Sequence, residues 1–156
     1  MVILIIGLIS ALVMPRLAAS LPGVQLKSAT RAVAASLRYA RSKAVSESTP
    51  YIAVFHSTQR VLAVEPIEKR MDAAELDRFR VIPKPSEFKN VYEFPDGIEF
   101  GVLNNNDAGE DTDLFPIFFF PRGDSTGGKI VMKNLRRKQY TITVDTITGT
   151  VEIDRL

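Results

Sequence analysis

Residues 1–46 read MVILIIGLISALVMPRLAASLPGVQLKSATRAVAASLRYARSKAVS, and their reading decides the fold. Met1 to Met14 carry no charged side chain, and Pro15 and Arg16 then close the run. At ~1.5 Å per helical residue, fourteen residues reach about 21 Å, short of a ~30 Å hydrocarbon core. The stretch is too apolar for a soluble surface and too short for a standard span.

The pattern changes after residue 23. Leu26, Thr30, Val33, Leu37, Ala40 and Ala44 recur at alternating spacings of four and three, which builds one helical stripe. Lys27, Arg31, Arg38 and Arg41 form a second stripe, roughly 110° around the same helix. Leu21-Pro22-Gly23 predicts a kink or a brief break, because proline lacks an N–H and glycine is permissive. Pro50 marks the end of the helix. Three units follow: an apolar helix over 1–23, an amphipathic helix over 24–50 and a β-rich head over 51–156.

Strand signals fill the head. YIAVFH (51–56) and RVLAV (60–64) flank a Ser-Thr-Gln turn and predict a hairpin. VYEF, GIEFGV, LFPIFFF and GKIVMK read as further strands between Pro, Gly and Asn signals. In YTITVDTITGTVEID, Tyr140, Ile142 and Val144 face one way and Thr141 and Thr143 the other. Asp145 to Gly149 is the turn, and Val151 and Ile153 alternate with polar neighbours beyond it. Residues 65–78 are charged and read as a short helix or a loop.

Hydrophobic residues at 46% and charged residues at 24% are ordinary for a folded chain, which argues against disorder. The absence of cysteine excludes a disulfide framework, a thiol nucleophile and a Cys-based zinc site. The net charge of +2 divides unevenly: residues 1–50 hold +5 and the remainder −3. A basic arm on a mildly acidic body is weak support for nucleic-acid binding.

No constellation supports an enzyme. GDSTGGK (123–129) matches the first seven places of a phosphate-binding loop, but Ile130 stands where Ser or Thr would hold magnesium. A strand follows where a helix N-terminus is needed, so a glycine-rich hairpin loop is the better reading. His56, the one histidine, sits in an apolar strand and reads as a packed or edge residue. DAGEDTD (107–113) offers oxygens to calcium, but its spacing is not that of an EF-hand, and a solvated loop is the default. KNLRRK (133–138) reads as a solvated hairpin tip. Lys133, Arg136, Arg137 and Lys138 are its candidates for polyanion contact. It has no aromatic platform for stacking bases.

The order of these pieces resembles the minor pseudopilins of the type IV pilin-like proteins, in the pseudopilin H (GspH) / FimT family. IIGLISALVMPRL (5–17) resembles the family's N-terminal helix. Residues 21–48 resemble its second helical half, with the L-x-x-ARSxA pattern at Leu37 to Ala44. IFFFPRGDSTGGKIVM resembles its F-x-P-x-G strand and turn, at Phe119, Pro121 and Gly123. YTITVDTITGTVEI resembles its closing hairpin. These matches cover most of the chain apart from 65–113.

The resemblance implies an α+β, pilin-like fold in which a long helix packs on a two-sheet antiparallel head. It implies a structural subunit of a type II secretion pseudopilus, with no cofactor, metal or small-molecule substrate. Ile5, Ile6, Gly7, Leu8, Ser10, Ala11, Val13 and Pro15 would form the membrane and assembly helix, the small residues allowing close approach. Leu26, Val33, Leu37, Ala40 and Ala44 would pack on the head. Partners would be other pseudopilins or pilins and the inner membrane, with the head in the periplasm; nucleic acid is a secondary expectation. The family's basic leader, methylated Phe and nearby Glu have no counterpart before Ile5. About seven further residues would bring the apolar run to about 21, enough to span. The basic flank after the run would by itself place the head inside, and a leader reverses that. Two other readings are a FimT-like minor pilin of a type IV pilus and a secreted β-protein cleaved near Ala18-Ala19-Ser20.

Overall fold

The computed structural model describes residues 2–67, 90–103 and 114–155, giving the backbone alone for 2–22 and 102–103. Helix α1 spans Val2–Glu47. Eight strands follow: β1 Tyr51–His56, β2 Val61–Pro66, β3 Val91–Glu93, β4 Ile98–Leu103, β5 Leu114–Phe119, β6 Gly128–Asn134, β7 Gln139–Val144 and β8 Val151–Arg155. They form two four-stranded sheets, ordered β3-β2-β1-β5 and β4-β6-β7-β8, with every pairing antiparallel. The α+β expectation of a helix on a two-sheet antiparallel head is met.

The helix does not break at Leu21-Pro22-Gly23: helical backbone runs through all three, and Gly23 has no positive φ. The sequence expectation of a possible break is corrected here. Proline removes one donor from the ladder, and a helix of 46 residues keeps the rest. At ~1.5 Å per residue the helix is about 69 Å long. Its C-terminus closes with Ser48 in the left-handed region (φ 51°) and Thr49 N donating to Ala44 O at 3.3 Å. That six-residue bond is a Schellman closure, and it turns the chain into β1 within three residues.

One stripe of the helix forms a wall of the core. Leu26, Ala29, Thr30, Val33, Ala34, Leu37, Ala40 and Ala44 are each at most 1% exposed. They meet Phe55 and Leu62 of one sheet and Ile130, Met132 and Ile142 of the other. Alanines at 34, 40 and 44 let the backbone sit close, and Leu26 and Leu37 fill the space between the sheets. The sheets meet at one end through aromatics: Phe94 stacks on Phe100 at 4.3 Å, Phe55 tilts on Phe100 at 6.0 Å and Tyr92 meets Phe94 edge-on.

Pro116 lies inside β5, which is an edge strand. Two residues on, Phe118 N donates outward to Thr126 Oγ1, away from β1. By the same alternation the Pro116 nitrogen faces outward, where no ladder bond is required. Ile52, Val54 and Phe118 form a smaller apolar cluster on the other face of that sheet.

Candidate functional site

The helix meets the head through polar contacts as well as apolar ones. Arg38 Nη2 donates to Val151 O at 2.8 Å. Arg41 Nε donates to Thr148 O at 2.9 Å and to Gly123 O at 3.3 Å. Both arginines belong to the basic stripe read from the sequence. Each is turned onto the head's own carbonyls, and of that stripe Lys27 and Arg31 remain exposed without such a bond. Nothing in the sequence near Arg38 or Arg41 announces this, because the acceptors lie 82 to 113 residues away.

Arg41 sits where two loops cross. Gly149, at φ +62°, closes the β7–β8 turn so tightly that a Cβ there would stand 2.3 Å from Gly123 O and 3.0 Å from Arg41 Nε. Only a glycine allows that approach without strain. Asp145 builds the turn: its carboxylate accepts from Ile147 N, Thr148 N and Thr148 Oγ1 at 2.7–3.0 Å. Those bonds, the Thr148 amide foremost, hold the carboxyl below its ordinary range. Ser125 ties the neighbouring loop in, donating to Asp145 O at 2.8 Å and accepting from Gly127 N at 3.0 Å. The ARSxA pattern and the F-x-P-x-G turn therefore meet physically, through Arg41 and Gly123.

The glycine-rich stretch 123–129 is not a phosphate loop. Gly128 and Lys129 already belong to strand β6, so no helix N-terminus faces the loop. His56 Nδ1 accepts from Gln59 N at 3.1 Å and so closes the β1–β2 turn. Arg60, with φ 56°, ends that turn and donates to Pro95 O and Ile98 O, joining the two sheets. Among the described residues no cluster of three or more metal-ligating side chains occurs. Residues 107–113 and 68–78 lie outside the described residues.

Lys133, Arg136, Arg137 and Lys138 are all exposed at the β6–β7 tip. Asn134 holds the tip from within, its Oδ1 accepting from Arg136 N at 3.1 Å and Lys138 N at 3.0 Å. Leu26, Val33, Leu37, Ala40 and Ala44 lie in the core at 0% exposure. Ile5, Ile6, Gly7, Leu8, Ser10, Ala11, Val13 and Pro15 lie on the backbone of α1, and their side chains are outside the described residues. Among the described residues no helix is long and apolar enough to cross a membrane.

A helix laid across two antiparallel sheets, with its arginines clamped to the closing hairpin, defines a pilin-like protein. The fold is that of the minor pseudopilin EpsH from the type 2 secretion system of Vibrio cholerae. The TM-score is 0.60 at 12% identity, over 84% of this chain and 97% of that one. It is shared with the type IV minor pilin FimU of Pseudomonas aeruginosa, with a TM-score of 0.54 at 13% identity over 82% and 91% of the two chains. Residues 29–149 match the family described as Type II transport protein GspH, and the chain belongs to that family. It is 29% identical over 151 residues to the type II secretion system protein H of Xanthomonas campestris pv. campestris, covering 97% of this chain and 76% of the relative. The work of the chain is thus that of a minor pseudopilin in type II secretion, structural rather than enzymatic. Membership implies assembly with other pseudopilins. It takes the place of the type IV pilus, secreted-protein and nucleotide-enzyme readings.

Proposed function

We propose that the chain joins the pseudopilus by its N-terminal helix, which anchors it first in the inner membrane with the head in the periplasm. The helix then packs against equivalent helices in the filament. Ile5, Ile6, Leu8 and Val13 supply the apolar surface, and Gly7, Ser10 and Ala11 allow close approach. The head stays outside that bundle and contacts neighbouring heads. The observation that carries this reading is the single helix from Val2 to Glu47, apolar in sequence at one end and fixed into the head at the other.

The intact N-terminus of the native protein, measured by mass spectrometry on membrane fractions, tests it. A methylated Phe upstream of Ile5 supports anchoring followed by assembly. A chain that begins near Leu21 refutes it, since the apolar run would then have been removed on export. A second test places a photo-crosslinker at Ala11. Adducts to other pseudopilins are expected, and their absence in secreting cells would count against helix packing.

A further inference from the structure

The β6–β7 tip sits at one end of the head, and that end is the one from which the helix leaves. A Cβ on Gly23 would stand 3.5 Å from Lys138 Nζ, and Leu26, three residues on, is the first core residue of the helix among those described. The tip presents Leu135, 79% exposed, beside the exposed Arg136, Arg137 and Lys138. It is a built turn: Asn134 Oδ1 accepts two of its amides and Arg137 takes a left-handed φ of 60°. Lys27 and Arg31 add exposed positive charge on the adjoining helix. Glu99 stands opposite Lys133 in the ladder, and Arg137 and Lys138 are exposed beyond it at the tip. At the far end of the head the β7–β8 turn exposes Ile147 at 83%; no Lys or Arg occurs from Asp145 to Thr150, Arg41 beside it is held by carbonyls, and Arg122 on the neighbouring loop pairs with Asp124.

Met14, the last residue of the apolar run, precedes Gly23 by nine residues, or about 14 Å of helix. The headgroup layer takes up roughly 5–7 Å beyond the hydrocarbon, and the Debye length at physiological ionic strength is about 8 Å. A long cationic side chain closes the remaining gap. We propose that Leu135–Lys138 is a foot that rests on the anionic phospholipid surface while the subunit is anchored. The long cationic side chains meet headgroup phosphates, and Leu135 stands beside them at the edge of the headgroup layer. This rests on the anchoring proposed above. It sets the height and tilt of the head over the membrane before assembly.

The chain has no cysteine, so a single Leu135→Cys carries one environment-sensitive dye. An Ile147→Cys label at the far end serves as control. The full chain is reconstituted into phosphatidylcholine vesicles with and without phosphatidylglycerol, and flotation reports whether it is anchored. The expected result is a blue shift and several-fold weaker iodide quenching at position 135 on anionic vesicles alone. About 0.5 M salt and the Arg136→Gln/Arg137→Gln/Lys138→Gln variant should each abolish the shift, while position 147 does not respond. A chain that floats but whose position 135 is quenched equally on both vesicles overturns the foot and leaves anchoring intact. A chain that floats with neither vesicle overturns anchoring itself. Protection by added duplex DNA on neutral vesicles would assign the tip to nucleic acid and overturn the lipid assignment.

Discussion

Replacing Gly149 by alanine probes the crossing of the two loops that carry the family's patterns. The added Cβ would stand 2.3 Å from Gly123 O, a backbone atom, and 3.0 Å from Arg41 Nε. Neither neighbour is the loose end of a flexible side chain, since Arg41 is held by two carbonyls. Two penalties add. A left-handed alanine costs about 1–2 kcal/mol, and forcing a methyl into packed backbone costs about 1–3 kcal/mol. The sum of about 2–5 kcal/mol corresponds to a fall of roughly 5–15 °C in Tm for a chain of this size. Thermal melts followed by far-ultraviolet circular dichroism in detergent read the effect directly. Gly101→Ala is the control: nothing lies within 4 Å of its Cβ and its φ is ordinary, so it should melt at or slightly above the parent. A Tm for Gly149→Ala within about 2 °C of the parent would refute the crossing as a point of close approach.

Other outcomes follow from the same contacts. Leu37→Ala, at 0% exposure between helix and sheets, should cost about 2–5 kcal/mol in urea melts. Arg41→Lys keeps the charge but loses the Nε–H that both carbonyls share, and should cost about 1–2 kcal/mol; an unchanged urea midpoint would show that those bonds add nothing. Tyr51 Oη donates to Glu47 Oε2 at 2.6 Å, and that bond, chiefly, pushes the phenol up to about 12 from an ordinary 10.0. A raised folded pKa means that the phenol's contribution is fully present below pH 10 and is lost as pH rises from 10 to about 12. Tyrosinate absorbance should show Tyr51 titrating late, burial shifting Tyr92 upward as well, and Glu47→Gln should bring the Tyr51 step alone forward. Glu47 itself is held below the ordinary carboxylate range, first by Lys43 and then by Tyr51. Its contribution is present above pH 4.5 and is lost as pH falls below that value. Millimolar ATP with magnesium should leave Tm unchanged; a rise would revive the phosphate-loop reading of residues 123–129.

What was legible in the sequence had a local cause. The stripe from Leu26 to Ala44 follows from helical period alone. The closing hairpin follows from alternation and from the Asp145–Gly149 turn, whose bonds are all within a few residues. What was not legible depends on distant pairing. Strand β1 pairs with β5 across some sixty residues, and no local signal divides eight strands into these two sheets. Arg38 and Arg41 looked like a solvated or polyanion-binding stripe because charge on a helix face says nothing of carbonyls that arrive more than eighty residues later. Of the kink or break that Pro22 suggested, the break does not occur, since a residue's preference for one is weaker than the continuity of a long helix on both sides.

The Arg38 and Arg41 bonds, with the alanine-lined wall beneath them, leave no hinge between helix and head among the described residues. The molecule is mechanically one lever. A tilt of about 10° in a helix about 69 Å long moves its far end by about 12 Å. In the filament proposed above, a rotation of the stem would therefore be carried into the head, and a push along the stem would reach the head as thrust rather than being lost in a flexible neck.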